Sequence, residues 1–388
     1  MFFMGDFLFS AHETEKTGNT LERKGGEVLD SFSLKTRILS GPGSISFLKS
    51  LNAKKVFLVT DPYFVQSGMA EIILKATGAE KTAVFGKVTP DPSAALAAEG
   101  TAEFQKFAPD LLVALGGGSS LDCAKAVACF ARSPVPFAAI PTTSGSGSEV
   151  TDFAILTHEG IKHPLVDPTL QPDYAILDSD LLKSLPKSLI ADAGFDVLSH
   201  ALEAIAAKGA GRISDLFARE AFSLAFHNLP GSYEGNLSAR EAVHQAATLA
   251  GIAFNQAGLG LCHGISHTLG GMFHVPHGRL NAILLPAVVE INAPAAGKAY
   301  ADLARYAGLG GSADTVALRN LQNGLLRLRQ QLGLPESLQK AGVAPEEVYR
   351  NLEKIQDSVR KDPCCDSNPV PADSSVIRQV LQKVTGHV

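Results

Sequence analysis

Between residues 32 and 185, short apolar runs alternate with helix-like stretches, and this pattern constrains the fold more than any other feature of the chain. The runs are Val56-Phe57-Leu58-Val59, Ala83-Val84-Phe85, Leu111-Leu112-Val113-Ala114-Leu115, Phe137-Ala138-Ala139-Ile140 and Tyr174-Ala175-Ile176-Leu177. Helix-like stretches such as Val65 to Thr77 and Ser93 to Phe107 lie between them. Continuous apolar runs of this length are strands buried on both faces, and strands interleaved with helices form a parallel sheet. After Pro186 the strand signal ends. Helical periodicity takes over in Ala191–Ala207, Ile213–Leu229, Ala239–Ala253 and Leu280–Ala293, then in shorter pieces. The expected architecture is an α/β N-terminal domain over residues 31–185 followed by an all-α C-terminal domain over 186–388.

Residues 1–30 stand apart as an N-terminal extension. The stub Phe2–Phe9 is apolar, but Asp6 interrupts it and no positive flank precedes it, which argues against a secretory signal. Residues 10–30 are polar and aperiodic, reading as a linker or disordered arm. The stub is either a frayed terminus or an anchoring peptide for a partner. A net charge of −5 argues against nucleic acid or an anionic membrane as the partner. Five cysteines at irregular spacing make no disulfide framework and favour the cytoplasm. No apolar run reaches the about 18 residues of a transmembrane helix.

Gly116-Gly117-Gly118-Ser119-Ser120 joins the run Leu111–Leu115 to a helical stretch, Leu121–Phe130. Glycines let a backbone approach closely, and the free N–H groups of a helix start favour anionic oxygens. Tight turns use glycine without any ligand too. Pro141-Thr142-Thr143-Ser144-Gly145-Ser146-Gly147-Ser148-Glu149 follows the next apolar run, again where ligands bind in open α/β sheets. Two such loops describe a nucleotide crevice on a Rossmann-like parallel sheet. Asp61 closes the run before; it suits an adenosine ribose and repels a 2′-phosphate, though an Asx turn at Asp61-Pro62 explains it equally.

The helical half carries a different chemistry. Asp196 and His200 are four apart, as are His263 and His267, so each pair projects from one helix face. His277 follows in Pro276-His277-Gly278. Four histidines in fifteen residues (263, 267, 274, 277) is dense for a chain holding 11. A carboxylate with imidazoles suits a borderline divalent ion such as Fe(II) or Zn(II). A cation on an alcohol oxygen lowers its pKa, so hydride can leave the carbinol carbon for a nicotinamide ring held nearby.

These residues resemble the iron-containing, or group III, alcohol dehydrogenases. The matching text is Gly116–Ser119 with Asp122 and Lys125, the block Pro141 to Thr151, Asp196 to Ala204, and Gly258 to His267 extending to Gly278. It covers the chain from about residue 32 onward. The resemblance implies that Asp196, His200, His263 and His277 hold the metal, with His267 as proton shuttle beside nicotinamide and substrate. It implies NAD(H) contacts from Asp61, Asp91, Gly117, Gly118, Ser119, Asp122, Thr142, Thr143, Ser146 and Lys162. Asp91 stands where many members carry Asn, the loop between Phe130 and Ala138 is short, and His274 is left as a bystander. The stretch Phe32–Ser44 looks most like the propanol dehydrogenases of bacterial microcompartments. On that likeness the expected substrate is a short primary alcohol or its aldehyde, the ion Fe(II) with Zn(II) as substitute, and the assembly a homodimer. The stub Phe2–Phe9 would be an encapsulation peptide, placing the enzyme near a shell and aldehyde-producing partners. The competing expectations are a metal- and NAD-using lyase or cyclase on a phosphorylated sugar, a polyol dehydrogenase of the same superfamily, and a scaffold with a structural metal. The lyase needs several Lys and Arg near the metal. The sequence offers mainly apolar residues there, with Arg279 the main exception.

Overall fold

The computed structural model describes residues 20–22, 28–30, 32–158 and 161–386. The chain forms two compact units, one ending at Leu34 and one spanning Lys35–Val388. In the first, β1 (Thr20–Glu22) pairs antiparallel with β2 (Val28–Asp30), Leu21 opposite Leu29. The reading of residues 10–30 as an aperiodic linker is corrected there: six of them pair as strands. The stub Phe2–Phe9 lies outside the described residues.

The second unit opens with a six-stranded parallel sheet. Its strands are β3 (Arg37–Ser40), β4 (Lys55–Thr60), β5 (Lys81–Phe85), β6 (Leu111–Gly116), β7 (Phe137–Pro141) and β10 (Tyr174–Leu177). They lie in the order β3-β10-β7-β6-β4-β5. Every residue of β6 and β7 is buried, as runs without polar alternation require when both faces are covered. Side chains of β4 alternate between two cores: Phe57 and Val59 join Phe85, Phe104 and Leu121, while Val56 and Leu58 join Leu48, Ile73 and Val113. Each such side chain contributes roughly 1.5–3 kcal/mol by leaving water.

Helices α1 (Pro62–Gln66), α2 (Met69–Thr77), α3 (Ala94–Phe107) and α4 (Gly118–Ala131) connect these strands. The single helix expected from Val65 to Thr77 is in fact two, because Gly68 takes φ 76° and stops the ladder. The sequence reading also missed the antiparallel hairpin β8 (Phe153–His158) and β9 (Ile161–Val166), which stands outside the main sheet. Its alternating, partly exposed residues have none of the continuous apolar character of the buried strands.

Beyond Leu177 the named elements are helical. They are α5 (Lys187–Ala206), α6 (Arg212–Tyr233), α7 (Leu237–Ala257), α8 (Leu261–Phe273), α9 (His277–Tyr306), α10 (Asp314–Gln331), α11 (Pro345–Arg350), α12 (Leu352–Val359) and α13 (Ser374–Val384). From Ile190 to Ala206, α5 is buried at all but one residue. It forms the axis of one large apolar cluster with α6, α7, α8 and α9. Helix α9 runs through Pro286 and Pro294, well past the Ala293 end read from periodicity. Packing of its buried residues carries it across both prolines. His274 closes α8 in the left-handed conformation, φ 55°, and turns the chain into α9.

Candidate metal and nucleotide sites

The carboxyl ends of β4, β6 and β7 bring three sequence-derived features together. Strand β6 ends at Gly116, φ 146°, and Gly117 caps α4, so the N–H groups of the first helical turn face outward from the glycine turn. A Cβ at Gly116 would stand 2.5 Å from Ser120 Oγ and 3.5 Å from Asp61 Oδ2. One at Gly117 would meet Thr143 Oγ1 at 3.3 Å, and one at Gly118 would meet Ser146 Cβ at 3.1 Å. Thr142 N–H donates to the Gly116 carbonyl at 2.9 Å. The glycine turn, Asp61 and the Thr142–Ser146 loop thus lie together at one end of the sheet. Asp61 also makes the Asx-type cap: its Oδ1 accepts from the N–H groups of Tyr63 (2.9 Å) and Phe64 (3.3 Å). The Asx turn read at Asp61-Pro62 is therefore present.

Asp91 and Lys162 form an ion pair at 2.7 Å, joining the loop before α3 to β9. Asp122 is placed differently from the cofactor contact implied for it. Its half-buried carboxylate accepts from Ser148 Oγ (2.6 Å) and Ile155 N–H (3.0 Å), so it braces the second loop. The buried Lys125 ammonium does the same, donating to Thr151 O (2.9 Å), Thr151 Oγ1 (2.8 Å) and Phe153 O (2.8 Å). Burial brings its pKa down to about 8, against the pull of Asp122, Glu149 and Asp152. Ser144 Oγ lies 3.0 Å from Nδ1 of the buried His244, a neighbour with no marker in the sequence pattern. The second loop also abuts α5: a Cβ at Gly145 would lie 3.2 Å from that of Ala193, three residues before Asp196.

Asp196 and three imidazoles converge one turn further along α5. Asp196 Oδ1 lies 3.4 Å from His277 Nε2, 3.5 Å from His263 Nε2 and 3.8 Å from His200 Nε2. Four donors about 2.1 Å from one ion in a tetrahedron sit about 3.4 Å from each other, so Asp196 with His263 and His277 has the spacing of a zinc- or iron-sized ion, and His200 lies slightly beyond it. Ligand atoms of Asp196, His263 and His277 all fall within 4.8 Å of one another. His200 stacks on His263 with centroids 4.5 Å apart and packs against Phe254 at 4.4 Å. The approach of α9 depends on Gly278, where a Cβ would be 2.0 Å from the Asp192 carbonyl oxygen.

The electrostatics suit a cation. Burial pushes His200 down to about 3 and lowers His277, so both present neutral nitrogens. Burial raises the Asp196 carboxyl, yet His200, His277 and His263 together hold it well below the usual range. At His263, burial is outweighed by Glu203 and Asp196, which lift its pKa to about 10. Its Nδ1 is hydrogen-bonded to Glu203 Oε2, leaving Nε2 toward Asp196. A metal ion bound there would take the place of the Nε2 proton. Glu203 Oε1 also accepts from Cys262 N–H at 2.6 Å.

His267 stands beside this cluster, stacked on His277 at 5.2 Å and 17°. Its Nδ1 lies 2.8 Å from Asp362 Oδ2, while Asp362 Oδ1 accepts from Cys364 N–H at 2.9 Å. Burial raises the Asp362 carboxyl, but the bond to His267 holds it down at about 2. Sequence reasoning assigned no role to Glu203, Asn281 or Asp362. Glu203 shares the face of Asp196 and His200 at i, i+4 and i+7, and Asn281 follows His277 by four, so helical spacing held a signal for both. Asp362 held none, because only the tertiary fold brings it to His267, 95 positions away.

Two family models match the chain: "Iron-containing alcohol dehydrogenase" over residues 35–179, and "Fe-containing alcohol dehydrogenase family, C-terminal" over 190–385. A 1-propanol dehydrogenase of Salmonella typhimurium is 37% identical over 369 residues, covering 92% of this chain and all of that protein. The iron-containing alcohol dehydrogenase structure from Thermococcus thioreducens superposes with a TM-score of 0.84 at 34% identity, covering 92% of this chain and 100% of that one. A sulfoacetaldehyde reductase of Bifidobacterium kashiwanohense, solved in complex with NAD+, gives 0.85 at 26% identity, covering 93% and 100%. The chain belongs to the iron-containing alcohol dehydrogenase family.

Proposed function

We propose that the chain is an NAD(H)- and iron-dependent dehydrogenase interconverting short primary alcohols and their aldehydes, with 1-propanol and propionaldehyde or ethanol and acetaldehyde as the substrate pairs. The observation that carries this reading is the Asp196, His200, His263 and His277 cluster, which lies one helical turn from the loop bordering the nucleotide crevice. Residues 31–185 would hold the coenzyme and 186–388 the ion.

When bound, the cation acidifies the alcohol hydroxyl and the nicotinamide accepts hydride. The residues supply position. Gly117, Gly118 and Ser119 would take the pyrophosphate at the start of α4. Thr142, Thr143 and Ser146 would line the nicotinamide side, Asp61 would receive the ribose hydroxyls, and Asp91 with Lys162 would border the coenzyme. Asp362 holds the Nδ1 end of His267, so Nε2 is the end that would take the hydroxyl proton. Phe254, against His200, favours a small apolar chain over a sugar phosphate. Arg279, the cation the lyase reading would use, is held by Asp192 at 3.0 Å.

Fe(II) is the proposed ion, and Zn(II) would displace it on handling because nitrogen and oxygen sites generally prefer zinc. A homodimer in the cytoplasm or inside a microcompartment, beside a shell and an aldehyde-producing enzyme, belongs to the same proposal, of which the likeness to a 1-propanol dehydrogenase supports the substrate class. Deleting residues 1–30 should then abolish co-purification with shells. The test of activity follows NADH oxidation by propionaldehyde in anaerobic protein, before and after chelation and after iron is restored. Turnover that chelation removes and iron restores is expected; none in the iron-restored protein overturns the proposal.

A further inference from the structure

We infer that Asn281 is a positioning residue of the ion site, holding the Asp196 carboxylate for the ion and covering the face formed by Asp196, His263 and His277. The inference rests on the reading that these residues hold a divalent cation. Asn281 is fully buried in the first turns of α9. Its Nδ2 lies 2.7 Å from Asp196 Oδ1, 3.2 Å from His277 Nε2 and 3.4 Å from His263 Nε2. One amide nitrogen therefore faces the donor atoms of three separate elements, α5, α8 and α9.

The orientation of the amide follows from its surroundings. Turned the other way, Oδ1 would meet the Asp196 carboxylate oxygen and the lone pair of the neutral His277 Nε2, which repel it. Oδ1 instead accepts from the Cys262 thiol, with Sγ at 3.6 Å. Both ends of the side chain have complementary partners, and burial leaves it no water to turn toward. An ion drawing on the two imidazole lone pairs leaves Asp196 Oδ1 as the acceptor for the amide. That hydrogen bond fixes the rotation of the carboxylate, which is how groups beyond the ligands tune a metal centre. An apolar side chain of similar volume fills the space and leaves Asp196 free to turn.

The test uses the full chain stripped of metal, with Co(II) and Zn(II) titrated anaerobically against a chromophoric chelator. Asn281→Leu is expected to bind both ions about 10–100-fold more weakly than the wild type. Its far-UV dichroism should match the wild type, and the visible bands of bound Co(II) should shift. Asn281→Ser, which keeps a hydroxyl donor, is expected to fall between the two, and it carries the test alone if Asn281→Leu does not fold. Affinities within twofold of wild type in the folded variants overturn the inference while leaving the ion site standing. Failure of the wild type to bind one ion per chain overturns the site itself, and the inference with it.

Discussion

Replacing Gly278 with alanine perturbs the ion site through one methyl group that touches no donor atom. The new Cβ would stand 2.0 Å from the Asp192 carbonyl oxygen and 2.6 Å from its carbon. Side-chain carbons essentially never come closer than 3.0 Å, and both atoms belong to α5 backbone, so the first turn of α9 must retreat by roughly 1 Å. His277 leads that turn. Its Nε2 is 3.4 Å from Asp196 Oδ1, and a retreat of that size takes it out of bonding range of an ion shared by the other three groups. Overpacking of this kind costs about 1–3 kcal/mol, and a misplacement of about 1 Å lowers turnover by on the order of 100-fold. Co(II) affinity, turnover with propionaldehyde and thermal melting should all fall together. Gly271→Ala in α8 is the control, because nothing lies within 4 Å of its Cβ and the change should favour the helix by about 0.5–1 kcal/mol. A Gly278→Ala protein with wild-type ion affinity and melting temperature would refute the claim that close α5–α9 contact positions His277.

Four further outcomes are expected. Asp362→Asn should lower kcat by up to about 100-fold while leaving the KM for NADH nearly unchanged, because His267 loses the partner that orients it. The same carboxyl, held at about 2 against an ordinary 3.8, contributes stability above pH about 4 that is lost as pH falls toward 2. The difference amounts to about 2 kcal/mol, so urea unfolding of Asp362→Asn should show a shallower loss between pH 4 and pH 2 than the wild type. Lys125→Met leaves two buried carbonyls and nearby carboxylates without their cation and should cost about 3–5 kcal/mol in chemical unfolding. Asp61→Gly should relax the preference for NAD over NADP at little cost to kcat; unchanged use of NADP would remove Asp61 from the coenzyme site.

The sheet was legible because its central strands are buried on both faces, and burial writes itself as uninterrupted Val, Leu and Ala from Leu111 to Leu115. The long helices were legible by periodicity, but their ends were not: packing against α5 carries α9 through two prolines that local propensity would use as stops. The hairpin Phe153–Val166 escaped notice because its strands alternate weakly and its role is local. At the site, Asp196, His200, His263 and His277 stand out because their side chains are costly to bury without a purpose and recur at helical spacing. Their supports are harder to see. Asn281 and Glu203 are ordinary polar residues until the fold closes around them, and Asp362 reaches His267 from a remote loop. Asp122 shows the opposite failure, since the family resemblance implied a coenzyme contact whereas its carboxylate turns inward to brace a neighbouring loop.

Anomalous diffraction at the iron edge, on crystals grown anaerobically from iron-loaded protein, tests the central claim most directly. The account predicts one peak per chain, about 2.0–2.2 Å from Asp196 and from the Nε2 atoms of His200, His263 and His277. A peak bonded elsewhere, or none in protein that oxidises NADH with propionaldehyde, would contradict it.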